Sequence, residues 1–123
     1  MILIDTSVWV DHLRASDATL SGLLEGGQVL GHPFVTGELS LGNLRQRDLI
    51  LTGLRELPQA TVASDEEVLQ FIDCQTLFGL GIGYIDAHLL AAVRLTPDGQ
   101  LWTRDRRLQA VATQLGLAAA PRP

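Results

Sequence analysis

The run Ile2-Leu3-Ile4-Asp5-Thr6-Ser7 constrains the fold more than any other segment. Three consecutive apolar residues suit a short buried strand. Asp5 ends the run, and Thr6 and Ser7 are favourable N-caps for the helical pattern Val8 to Arg14. A strand that turns at once into a helix is the opening of an α/β layer, and the same grammar returns near the other end. There Leu101 to Thr103 reads as a strand, Asp105 follows it, and Asp105 to Leu115 has a helical pattern stopped by Gly116.

Between these two units the pattern keeps alternating. Ser16 and Asp17 suit the cap of a helix reaching Leu23 and Leu24, which Gly26 and Gly27 stop, and Gln28 to Gly31 reads as a short buried strand. Pro33 suits the first turn of a helix containing Glu38, and a further helix is predicted over Arg47 to Leu54 before Pro58. Thr61 to Ala63 is a weak strand candidate. Ser64-Asp65-Glu66-Glu67 resembles a capping box opening a helix to about Phe78, with Cys74 expected to pack within it. The Gly79-Leu80-Gly81-Ile82-Gly83 loop precedes a Leu- and Ala-rich helix over Ile85 to Leu95, then a turn at Pro97-Asp98-Gly99. Leu117 to Ala119 suits an edge strand before the Pro121-Arg122-Pro123 tail. The expected fold is α/β, a mostly parallel four- to five-stranded central sheet flanked by helices, with ligands at the carboxyl ends of the strands.

Size and composition fit one such layer. The 123 residues are 46% hydrophobic and 19% charged, enough apolar content for a single buried core and too little chain for two ordinary domains. A single domain over residues 1–123 is expected. No apolar run approaches a membrane span, and acidic Asp5 and Asp11 stand where a secretory leader needs a basic flank. Cys74 alone forms neither an internal disulfide nor a zinc site, which suits a reducing, cytoplasmic setting.

The formal charge of −5 argues against a general basic surface for nucleic acid, because such binding is driven by phosphate neutralisation. It leaves room for a metal-dependent nuclease, whose clustered carboxylates carry negative charge until a cation binds. Every basic side chain is Arg and none is Lys, which removes Schiff-base and P-loop chemistry. The arginines gather at Arg45, Arg47 and Arg55, and again at Arg104, Arg106 and Arg107. The guanidinium fork suits phosphate, although a solvated helix face explains the same clusters equally well.

Four acids stand out by their apolar flanks: Asp5 and Asp105 beyond strand ends, Glu38 within an apolar helical run, and Asp86 in the first turn of the Leu/Ala-rich helix. Isolated carboxylates are costly to bury, so acids in such settings become protonated, pair with cations or bind metal. Oxygen ligands without Cys or His at ligand spacing favour Mg²⁺ or Mn²⁺ over zinc. Taken singly, Asp5 and Asp105 also suit helix caps, Asp86 a charge at a helix start, and Glu38 a solvent-facing position. His12, His32 and His88 are scattered, and Trp9, Trp102 and Tyr84 are too separated to form a stacking platform.

The order of these motifs resembles the PIN domain, and within it the small VapC-type toxins of bacterial type II toxin–antitoxin systems. The resemblance rests on Ile4-Asp5-Thr6-Ser7, on Thr36-Gly37-Glu38-Leu39 with Gly42, on Gly83-Tyr84-Ile85-Asp86 with Leu90-Ala91-Ala92, and on Trp102-Thr103-Arg104-Asp105. It implies a PIN-like three-layer sandwich and a Mg²⁺- or Mn²⁺-dependent endoribonuclease. Asp5, Glu38 and Asp86 would be the core catalytic and metal-binding acids, with Asp105 a fourth. It also implies Thr6, Ser7 and Thr103 as supporting hydroxyls, a homodimer, and a cognate VapB-type antitoxin. Arg104, Arg106 and Arg107 are candidates for contacts to RNA. Three other readings are kept beside this one: a phosphatase using Asp5, which lacks its second acid at Ser7 and its lysine; a non-catalytic PIN-like interaction module; and an RNA-processing nuclease that is not a toxin.

Overall fold

A computed structural model of the protein describes residues 1–120, so the Pro121-Arg122-Pro123 tail and the end of the expected domain lie outside the described residues. The chain runs β1 (Ile2–Ile4), α1 (Thr6–Arg14), α2 (Ala18–Glu25), β2 (Val29–Leu30), α3 (Pro33–Ser40) and α4 (Arg47–Glu56). It continues α5 (Asp65–Cys74), α6 (Tyr84–Leu95), β3 (Gln100–Trp102) and α7 (Arg106–Gln114). The sheet is wholly parallel with strand order β2-β1-β3. Register pairs Leu3 with Leu30 and Leu101, and Ile4 with Trp102.

Local chemistry accounts for most element ends. Asp17 caps α2 by accepting from Leu20 N–H, Pro33 opens α3, and Ser64 and Glu67 form a reciprocal capping box at α5. Gly116, with φ of 71°, follows α7 where a residue with a Cβ would be strained. The core gathers around the central strand: Leu3, Ile4, Val8, Leu20, Leu89 and Leu101 are fully buried. A smaller cluster of Ala63, Val68, Ala87 and Ala91 joins α5 to α6. No helix among the described residues is long and apolar enough to cross a membrane.

The sheet is smaller than the four to five strands expected from sequence. Near Thr61–Ala63 the pairing is a single bridge between Gln59 and Gly31, and Thr61 N–H is taken by the Thr96 hydroxyl. Leu117–Ala119 likewise makes one bridge, Ala118 to Leu101, immediately after the Gly116 turn. Helix α5 stops at Cys74, short of Phe78, because Thr76 takes a left-handed φ of 54° and Leu77 N–H returns to the Ile72 carbonyl. Cys74 is exposed at that end rather than packed.

Candidate active site

Strand order determines which loops share one end of the sheet. Asp5 immediately follows β1, Asp105 follows β3 on one side, and α3 with Glu38 follows β2 on the other. Asp86 comes from the first turn of α6, which packs on β3. Asp86 lies within the field of the other three acids. Asp86 is held above the ordinary aspartate range mainly by burial, reinforced by the charges of Asp5, Asp105 and Glu38 and opposed by the Gly83 N–H.

Asp5 occupies the N-cap position of α1, yet its carboxylate makes no capping bond. Its Oδ2 instead accepts from two hydroxyls, Ser7 Oγ and Thr103 Oγ1, each at 2.7 Å. Those hydroxyls are oriented from behind by backbone donors: Arg104 N–H gives to Ser7 at 3.0 Å and Asp105 N–H gives to Thr103 at 3.1 Å. With the acceptor sides so occupied, both hydroxyl protons point at Asp5. The turn over residues 103–105 is therefore the mould in which the Asp5 side chain is set.

The other acids follow one rule. Glu38 Oε1 accepts from Thr6 Oγ1 at 2.8 Å, Asp86 Oδ2 from Gly83 N–H at 3.0 Å, and Asp105 Oδ1 from Leu108 N–H at 2.9 Å. Each of the four carboxylates thus has one oxygen engaged, and its second oxygen accepts no hydrogen bond from the described residues. Asp105 is a helix cap and Asp86 a helix-start charge, as their bland readings held, but each occupies only half of its carboxylate in that role. Asp5 is buried, Asp86 half-buried, and Glu38 and Asp105 are exposed.

The donor set fits a hard divalent cation, being carboxylate oxygens with hydroxyl support and no thiolate or imidazole. Among the described residues no three acidic, histidine or cysteine side chains converge closely enough to enclose an ion.

A cavity of about 780 Å³ opens beside Thr6 and Glu38, bounded by Val10, Leu13, Arg14 and Arg45. No family model matches the chain. Against curated proteins, the chain is 47% identical over 120 residues to Ribonuclease VapC32 of Mycobacterium tuberculosis, in both the CDC 1551 / Oshkosh and the ATCC 25618 / H37Rv strains. The alignment covers 98% of this chain and 97% of the relative in each case.

The chain belongs to the VapC family of PIN-domain ribonucleases.

The arginines of this VapC chain differ in their commitments. Arg106 and Arg107 are exposed, and Arg107 lies against Gly81, where an added Cβ would sit 2.8 Å from Arg107 Nη1. Arg104, a sequence candidate for RNA contact, has its guanidinium engaged by Asp11 at 2.6 Å and Asp17 at 2.8 Å. Those partners lie 93 and 87 positions away, so no local signal foretold them. Two histidines that looked scattered are buried: His32 caps α3 by accepting from Phe34 N–H, and His88 Nε2 meets Asp65 at 3.1 Å. A histidine directly before Pro33 was the available sign of that cap.

Proposed function

We propose that this VapC-family protein is the toxin of a VapBC-type toxin–antitoxin module, acting as a Mg²⁺- or Mn²⁺-dependent endoribonuclease. The observation that carries the reading is the set of four half-engaged carboxylates whose fields overlap at Asp86. Asp5, Glu38 and Asp86, with Asp105, would hold the cation through their unengaged oxygens. A cation held there supplies Lewis-acid activation of water and neutralises charge on the phosphoryl oxygens.

The chain's own residues do the positioning. Ser7 and Thr103 fix Asp5, Thr6 fixes Glu38, and the Gly83 N–H fixes Asp86. No side-chain nucleophile is required, and the likeness to the family implies products with a 5′-phosphate and a 3′-hydroxyl. Arg106 and Arg107, exposed beside Asp105, suit phosphate oxygens of the bound RNA. A VapB-type antitoxin, a homodimer that enters larger toxin–antitoxin assemblies, and a cytoplasmic setting complete the proposal.

The test incubates the protein and an Asp5→Asn, Asp86→Asn variant with tRNA, rRNA and mRNA fragments in Mg²⁺, Mn²⁺ or chelator. Metal-dependent cuts at discrete positions by the wild type alone are expected. Cutting that survives in chelator, or equal cutting by the variant, would overturn the assignment. Growth arrest on expression, relieved by the antitoxin encoded beside it, separates a toxin from an RNA-processing enzyme.

A further inference from the structure

Among the described residues the Arg104 side chain makes no hydrogen bond or ion pair with any of the four acids, yet it is the most heavily engaged arginine beside them. Its backbone N–H donates to Ser7 Oγ, while Nη1 reaches Asp11 and Nη2 reaches Asp17. Ser7 and Asp11 are four residues apart on α1, hence on one face of that helix. Asp17 is the residue whose side chain caps α2, and its own N–H donates to His12 Nδ1 on α1 at 2.9 Å. One residue therefore binds the first turn of α1 through its backbone, the next turn through one arm of its fork, and the start of α2 through the other. The guanidinium also lies over the Trp102 ring, 5.9 Å from its centroid.

We propose that Arg104 is a positioning residue for Asp5, acting as a clamp that holds the 103–105 turn against α1. The inference rests on the metal-nuclease reading above for its consequence, though not for its geometry. Closing the fork on Asp11 and Asp17 holds the Arg104 N–H on Ser7. Ser7 and Thr103 then direct both their protons to Asp5 Oδ2, leaving Oδ1 for the cation. The guanidinium is 39% exposed, and Asp11 and Asp17 are 47% and 24% exposed. Ion pairs at that exposure contribute little to global stability, so the clamp acts on geometry more than on the melting temperature. Neutralised by two carboxylates, the side chain is also a poor contact for RNA phosphate.

The test compares the wild type with Arg104→Ala and with Asp11→Asn, Asp17→Asn in the full chain. Three readouts are taken: Mn²⁺ binding by calorimetry, the salt dependence of RNA binding, and hydrogen exchange at the amides of Arg104 and Asp105. Both variants should bind Mn²⁺ about tenfold more weakly, the lower end of the effect of outer-shell partners on metal affinity. They should also exchange both amides faster, with the melting temperature and the salt slope nearly unchanged. An Arg104→Lys variant, able to reach only one carboxylate at a time, should fall between.

If Arg104→Ala flattens the salt slope while the double Asn variant keeps full Mn²⁺ affinity, Arg104 is a phosphate contact and the clamp is refuted. Should the wild type bind no Mn²⁺, the nuclease reading falls by itself. Exchange still decides the clamp then: unchanged protection of the two amides in the variants overturns it, and lost protection upholds it.

Discussion

Thr6 Oγ1 donates to Glu38 Oε1 at 2.8 Å across 32 positions of sequence, joining the first residue of α1 to the middle of α3. The bond orients an exposed glutamate that would otherwise sample many rotamers. Thr6→Val keeps the shape and removes the donor. Cleavage should fall about tenfold while stability changes by no more than about 1 kcal/mol. Single-turnover cleavage and a thermal melt on the same preparation check both halves.

Asp86 is a second test, through stability. Burial and three neighbouring carboxylates raise its folded pKa, so its native state holds the proton more tightly than the unfolded chain. That contribution is present below the unfolded pKa and lost as pH rises through the folded one, leaving the charged carboxylate a burden at neutral pH. Asp86→Asn retains an acceptor for the Gly83 N–H and removes the charge. In chelator at pH 7 it should melt above the wild type; added Mg²⁺ should stabilise the wild type and not the variant. A variant that melts lower in chelator would contradict the shared field.

His32 governs acid sensitivity. Burial, with the charge of His88, lowers its pKa from 6.5 to about 4. The folded state therefore binds fewer protons than the unfolded state across that window. Stability is complete above about pH 6.5 and declines as pH falls toward 4, by on the order of 3 kcal/mol. Its Nδ1 accepts from Phe34 N–H, so His32→Asn preserves a capping acceptor. The variant should be less stable at pH 7, through lost packing, yet show a flatter decline between pH 6.5 and 5 in urea melts.

Gly81 and Arg107 make a fourth case. At φ of 78°, Gly81 occupies backbone space that an L side chain rarely adopts, and a methyl there would lie 2.8 Å from Arg107 Nη1 and 2.9 Å from its Cδ. Gly81→Ala should cost about 1 kcal/mol through the backbone and displace Arg107. RNA binding should weaken together with stability, whereas Arg107→Ala should weaken binding alone; filter binding at two salt concentrations resolves them.

Most elements were legible because their signals are local. Asp17, Pro33, Ser64, Glu67 and Gly116 act on backbone groups within a few positions, and each does so where expected. Strand number was less legible. Thr61–Ala63 and Leu117–Ala119 have strand-like composition, but pairing depends on a partner edge, and each neighbourhood finds only one bridge. The four acids were visible as apolar-flanked carboxylates, while the hydroxyl pair on Asp5 was visible only as neighbours of separate acids. Their convergence is a product of the order β2-β1-β3. The partners of Arg104 were hidden for the same reason: the two carboxylates come from α1 and the cap of α2, and only the tertiary fold puts them in reach.

The central position of β1 sets an order of events during synthesis. Thr103, whose hydroxyl holds Asp5, is encoded 98 positions after it. At about 5–20 residues per second, a nascent chain carries Asp5 for roughly 5–20 seconds before that hydroxyl exists. A product truncated anywhere ahead of β3 lacks the strand that flanks β1 and the turn that sets Asp5. The setting of Asp5 is thus completed only after β3 and the 103–105 turn have been made and have folded beside β1.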